Sequence, residues 1–102
     1  MSALDVALHS AVERRAHRYR ATTPNPSMGI EVEAMVLNAV RGLGSTLPWV
    51  VDEAREDLAV IRGKLNRIAA DPGNPPEWTR AARRLAATVQ DVLDATRQEV
   101  TR

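Results

Sequence analysis

The chain has 102 residues, enough for one small domain, and no cysteine, which excludes disulfides, a thiolate nucleophile and cysteine-based metal sites. A net charge of +1 argues against binding driven by bulk charge alone, whether to nucleic acid or to a membrane surface. The apolar set makes up 44% of the residues but holds no Phe, one Tyr and two Trp, so a core built mainly from Ala and Val is expected.

Such a core buries little area per residue. At about 25 cal/mol per Å² it is marginal for a lone domain of this size, and self-association or a partner surface would relieve it. Every basic residue except Lys64 is Arg; with scarce Lys and absent Phe this points to a GC-rich genome, as in actinobacteria or their phages. The N-terminus has no signal pattern, and no run of roughly 18 uncharged apolar residues occurs, so a cytoplasmic location is expected.

The pattern predicts an all-α, four-helix domain spanning residues 1–102 and built around an antiparallel helical hairpin. The first helix is expected from about Ala3 to Arg20, capped by Ser2 with Asp5 three residues on, and with Leu4, Leu8, Val12, Ala16 and Tyr19 as its apolar stripe. Pro24 and Pro26 interrupt it. The second helix is expected from about Met28 to Leu43 with Ser27 as cap. Val32, Met35, Val36, Leu37, Ala39 and Val40 run nearly all round it, which predicts the central, most buried helix. Gly42-Leu43-Gly44-Ser45 should end it with glycine C-cap chemistry.

The third helix is expected from about Pro48 to Ala70, capped by Ser45 or Thr46. Val51, Ala54, Leu58, Ile61, Leu65 and Ile68 alternate spacings of three and four, a coiled-coil seam. Asp71-Pro72-Gly73 stops it. The fourth runs from about Pro75 to Val100, with Asn74 as cap, Pro75 at its first position and Glu77 three residues after the cap. Ala82, Leu85 or Ala86, Val89, Val92 or Leu93, Thr96 and Val100 continue a matching seam, so helices three and four should pack antiparallel.

Charge is polarised along that hairpin. Near its tip lie Arg62, Lys64, Arg67, Arg80, Arg83 and Arg84 against Asp71 and Glu77, a balance of +4. At the base lie Asp52, Glu53, Glu56, Asp57, Asp91, Asp94 and Glu99 against Arg55, Arg97 and Arg102, a balance of −4. The basic start of the fourth helix opposes its own dipole, a small cost of about 0.3–1 kcal/mol. An ordinary solvated surface is one reading. The other is a tip that receives an acidic partner, a nucleic-acid backbone, or the acidic base of another copy.

A second basic cluster, Arg14, Arg15, Arg18 and Arg20 with Tyr19, falls on the first helix. Asp5, His9, Glu13 and His17 recur every four residues there, but this lacks the His-Glu-x-x-His arrangement of a catalytic zinc helix and reads as a polar stripe. Trp49 and Trp78 each fall in a first helical turn, either closing the ends of a thin core or anchoring a partner. A helix-turn-helix at Gly42–Ser45 is rejected, because Asp52 and Glu53 would face DNA phosphates. No nucleophile–base constellation, phosphate loop or carboxylate pair is readable, and no catalytic, cofactor or metal residue is assigned. Neither Trp is followed by x-Gly, so the turn of the secreted hundred-residue helical hairpins is missing, as is the Leu-Arg…Ile-Asp opening of small helical chorismate mutases.

The expected function is therefore non-enzymatic: a small helical adaptor or regulator, one version being a phage-encoded modulator of a bacterial host protein, acting on a protein partner and as a homodimer. Its expected contacts are the tip residues Arg62, Lys64, Arg67, Arg80, Arg83 and Arg84, with Arg14, Arg15, Arg18, Trp49 and Trp78 as further candidates. A nucleic-acid accessory protein using the basic tip and a structural subunit of a larger assembly are the alternatives.

Overall fold

The computed structural model describes residues 6–100, with side chains through residue 97. Four helices follow in chain order, α1 (Val6–Thr22), α2 (Pro26–Gly42), α3 (Pro48–Ala70) and α4 (Pro76–Val100), with no strand among the described residues. Short connections make successive helices antiparallel. Each packs on the next and α1 closes the ring on α4, while the diagonal pairs α1/α3 and α2/α4 make no close approach. The result is an up-down-up-down bundle 42 Å long and 23 × 21 Å across. Its tip carries the α1/α2 and α3/α4 turns; its base carries the α2/α3 turn.

The helix ends depart from expectation in instructive ways. Ser2, Leu4 and Asp5 lie outside the described residues, so the expected first cap does too. The second helix is capped by Asn25 rather than Ser27: the Asn25 carboxamide oxygen accepts from the Ser27 and Met28 backbone N–H groups, and Pro26 occupies the first turn. Proline there loses no intrahelical bond, so the helix begins two residues earlier. It ends without a left-handed residue: Leu43 is right-handed and no glycine has positive φ among the described residues. At α3, Leu47 holds the cap position with no side-chain bond, and the Ser45 hydroxyl instead accepts from the Leu47 N–H at 3.1 Å.

The tip turn is stitched differently from the sequence reading. Asp71 Oδ1 accepts from the Gly73 N–H at 2.9 Å, an Asx turn. Asn74 does not cap α4; its Nδ2 donates to the Ile68 carbonyl at 3.0 Å and so closes the end of α3. The first α4 bond runs from the Thr79 N–H to the Pro75 carbonyl at 3.0 Å, so Pro75 precedes the helix and Pro76 opens it.

The α3 seam holds as expected, with Ala54, Leu58, Ile61 and Leu65 buried and Val51 and Ile68 packed at its edges. The α4 seam does too: Trp78, Ala81, Ala82, Leu85, Ala86, Val89, Val92, Leu93 and Thr96 are buried, whereas the Val100 side chain lies outside the described set. The expectation that the second helix is the most deeply buried fails. In a ring of four no helix is central; α2 buries Gly29, Val32, Val36, Ala39 and Val40 and turns Ile30 and Met35 outward. The helix with the most buried residues is α4, whose contacts with α3 and α1 are the two most extensive in the bundle.

Two threonines tie those neighbours to α4. Thr88 and Thr96 are buried, and each hydroxyl donates back to its own helix, to the Arg84 and Val92 carbonyls at 3.0 Å. Each then accepts from an arginine reaching in from outside, Arg15 of α1 at Thr88 and Arg55 of α3 at Thr96. Arg55 also donates to the Leu93 carbonyl at 3.0 Å. In each case the hydroxyl's own hydrogen is already used within α4, and the guanidinium supplies a donor to its oxygen from a neighbouring helix.

Candidate partner-binding faces

Tyr19 of α1 and Trp78 of α4 close the core at the tip, ring centroids 6.3 Å apart at 45°. Trp78 is only 7% exposed and offers no surface to a partner. The Tyr19 hydroxyl and the Trp78 indole nitrogen are buried and neither meets a partner in hydrogen-bond geometry. Burial pushes the phenol above its usual 10.0, while the nearby indole N–H and Thr23 hydroxyl oppose that by favouring the phenolate.

The six tip cations do not form one patch. Arg62 donates to Gln90 Oε1 across the α3/α4 contact, and Arg83 donates to the Ala69 carbonyl at 3.3 Å, so both are engaged in holding the hairpin. Lys64 and Arg67 are exposed on α3. Arg80 and Arg84 turn the other way, toward α1, where they meet the second basic cluster.

That meeting creates a groove between α1 and α4. Two adjoining cavities of about 240 Å³ each are lined by Arg14, Arg15 and Arg18 on one wall and Arg80 and Arg84 on the other, with Ala81 on the floor and Glu77 as its acidic member. With Arg15 engaged by Thr88, four exposed guanidinium groups remain, in two rows of (i, i+4) residues. Each row steps about 6 Å along its helix. None of the four makes an ion pair among the described residues.

The opposite face, between α2 and α3, is different in kind. A cavity of about 440 Å³ is lined by Met35, Asn38, Ala39, Gly42, Trp49, Val50 and Ala54, with Glu53 and Asp57 on its rim. Trp49 is 64% exposed, which is exceptional for the largest side chain of a chain so poor in aromatics. Helical spacing from Trp49 continues through Glu53, Glu56 and Asp57 to the exposed Val60. The four carboxylates Asp52, Glu53, Glu56 and Asp57 are exposed and, like the groove arginines, make no ion pair among the described residues.

The polar stripe of α1 is divided between two helices. His9 Nδ1 lies 3.3 Å from Glu13, but His17 turns to Glu33 of α2 at 3.5 Å, where Arg20 also binds at 2.9 Å. Asp5 lies outside the described residues, and no group of three or more metal-ligating side chains gathers among those described. No described helix is long and apolar enough to cross a membrane. Sequence reasoning found the groove residues but as two separate clusters, and it missed Met35, Val50 and Ala39 as the lining beside Trp49. The signal for the first was the basic run on the first helix; joining it to α4 needs the ring order of the bundle. No protein-family model matches the chain, and neither a curated protein nor a solved structure does.

Proposed function

We propose that this protein is a non-enzymatic interaction module, a small helical adaptor or regulator that docks a protein partner on the α2/α3 face. The observation that carries this reading is Trp49, 64% exposed over an apolar groove with an acidic rim. Exposed tryptophan flanked by Met and Val is the composition of an interface anchor, and the carboxylates around it select a partner with basic charge beside its apolar contact. A basic amphipathic helix lying in the groove meets both requirements. The test is affinity capture from the native host lysate with wild type and with Trp49→Ala in parallel. A stoichiometric partner, native copies of this chain included, present with wild type and lost with the variant is expected; no partner, or one unaffected by the substitution, refutes the reading.

A nucleic-acid accessory role draws on one observation, the merging of two basic clusters into the α1/α4 groove. It predicts steep loss of binding with salt, and loss on changing Arg80 and Arg84 to Ala. Binding absent at low salt rules it out.

A further inference from the structure

The α1/α4 groove carries four arginines without ion pairs among the described residues, Arg14 and Arg18 on one wall and Arg80 and Arg84 on the other, against the single carboxylate of Glu77 and over a small-residue floor, so it suits an anionic, elongated ligand that can lie along two helices. The chain carries such an element on its own opposite face. The α3 helix presents Asp52 and Glu56 in one row and Glu53 and Asp57 in the next, all exposed. Each row has the same (i, i+4) step of about 6 Å as the arginine rows Arg14/Arg18 and Arg80/Arg84. Trp49 sits on the same side of α3 one turn before Glu53, where a guanidinium of the groove can stack on its ring.

We propose that the occupant of the arginine groove is a second copy of this chain, which lays the acidic first half of its α3 between α1 and α4. Arginine suits this role because its planar fork binds a carboxylate with two parallel hydrogen bonds. Charge balance supports a second copy over a nucleic acid: the chain is nearly neutral and lacks the overall positive field that draws in a polyanion. Groove and key lie on opposite sides of the bundle, so the contact is heterologous. One protomer's α3 enters the next protomer's groove, head to tail, in place of the closed pair expected from sequence. This assignment rests on the α2/α3 face being a docking surface and names what docks there.

Sedimentation velocity over a concentration series at low ionic strength tests it. Wild type is expected to grow past the dimer, and raising the salt to shrink the Debye length to about 3 Å should reverse this. A groove variant, Arg14→Gln with Arg18→Gln and Arg84→Gln, and a key variant, Glu53→Gln with Glu56→Gln and Asp57→Asn, should each associate at least about tenfold more weakly alone. Far-UV circular dichroism should show both folded as wild type. Mixed in equal amounts, they restore one intact groove and one intact key, and should stop at a dimer. Wild type that stays monomeric, or variants that do not pair, would overturn the proposal. So would an oligonucleotide that binds wild type and not the groove variant under conditions where self-association is absent. Titration with a basic amphipathic helical peptide, read by Trp49 emission, separates the two levels. Peptide binding without self-association sinks only the second-copy assignment; absence of both sinks the docking face as well.

Discussion

Glycine at two positions provides a calibrated test of the helix packing. Gly63 lies in the middle of α3, where glycine costs about 1 kcal/mol relative to alanine because it loses more backbone freedom on folding. A Cβ added there would meet nothing closer than Arg67 Nη1 at 3.7 Å, ordinary contact with the end of a flexible side chain. Gly63→Ala should therefore stabilise by about 0.5–1 kcal/mol, raising Tm by about 4–8 °C per kcal/mol for a domain of this size. Gly29 on α2 is the opposite case. Its Cβ would lie 3.2 Å from the Arg20 carbonyl oxygen, 3.3 Å from the Arg20 Cα and 3.3 Å from the Thr23 Cβ. These atoms belong to the end of α1 and the turn after it, and yield only if the α1/α2 contact opens. Overpacking of this kind costs about 1–3 kcal/mol, enough to cancel or exceed the propensity gain. Thermal and urea unfolding followed by far-UV circular dichroism measure both variants, and the difference between them isolates the steric part. Gly63→Ala without a gain would refute the open surroundings of Gly63, and equal shifts for the two variants would refute the close α1/α2 crossing.

The remaining expectations follow from single side chains. Tyr19→Phe removes a buried hydroxyl that has no partner and should change stability by less than about 1 kcal/mol, whereas Tyr19→Ala leaves a cavity against Trp78 and should cost about 3–5 kcal/mol in the same unfolding assay. Because burial raises the folded phenol above 10.0, the unfolded chain releases that proton first, so stability should fall as pH climbs through 10 and beyond; phenolate absorbance of the sole tyrosine should rise at higher pH in the folded protein than in the urea-unfolded chain. Collisional quenching of fluorescence should come almost entirely from Trp49, and Trp49→Phe should leave a poorly quenched protein; strong quenching of that variant would contradict a buried Trp78. Arg55→Ala should cost about 1–2 kcal/mol, since Thr96 keeps its bonds to the Val92 and Leu93 carbonyls and only the arginine link from α3 is lost.

The seams of α3 and α4 were legible because their apolar spacing is local and strictly alternating, so Ala54, Leu58, Ile61 and Leu65 face one direction whatever else the chain does. The caps were less so. Ser27 and Asn25 are both competent, as are Asn74 and Pro75, and the path of the loop into the bundle decides between them. Apolar count round α2 misled because it measures what a helix can bury, not how much neighbouring surface covers it; α2 has two neighbours like every helix of the ring, and Met35 and Ile30 stay outside. The site was half legible for a related reason. Arg14 and Arg18 on one helix and Arg80 and Arg84 on another are visible as residues, but their union requires α1 to sit beside α4. The linear charge map assigned Arg62 and Arg83 to the same tip patch, although the structure uses both to hold α3 to α4.

The charge arrangement is hard to explain as a device for stability. Arg14/Arg18, Arg80/Arg84, Asp52/Glu56 and Glu53/Asp57 are like-charge pairs at (i, i+4), each unfavourable by about 0.2–0.5 kcal/mol. Exchanging single residues between the two faces would turn these into favourable pairs of similar size, and no packing contact would oppose it, since all eight side chains are exposed. The fold meanwhile uses its other arginines economically: Arg15 and Arg55 complete buried threonines, Arg62 and Arg83 hold the hairpin, and Arg20 binds Glu33. Among the charges left after those roles, besides scattered ones such as Arg41, Lys64 and Arg67, are a groove of one sign and a ridge of the other, on opposite sides of a bundle whose core is thin in large side chains. Unlike charges pay back that repulsion only when a groove and a ridge from different molecules meet. Under the second-copy proposal the segregation serves association, directed from the α3 face of one molecule to the α1/α4 face of another.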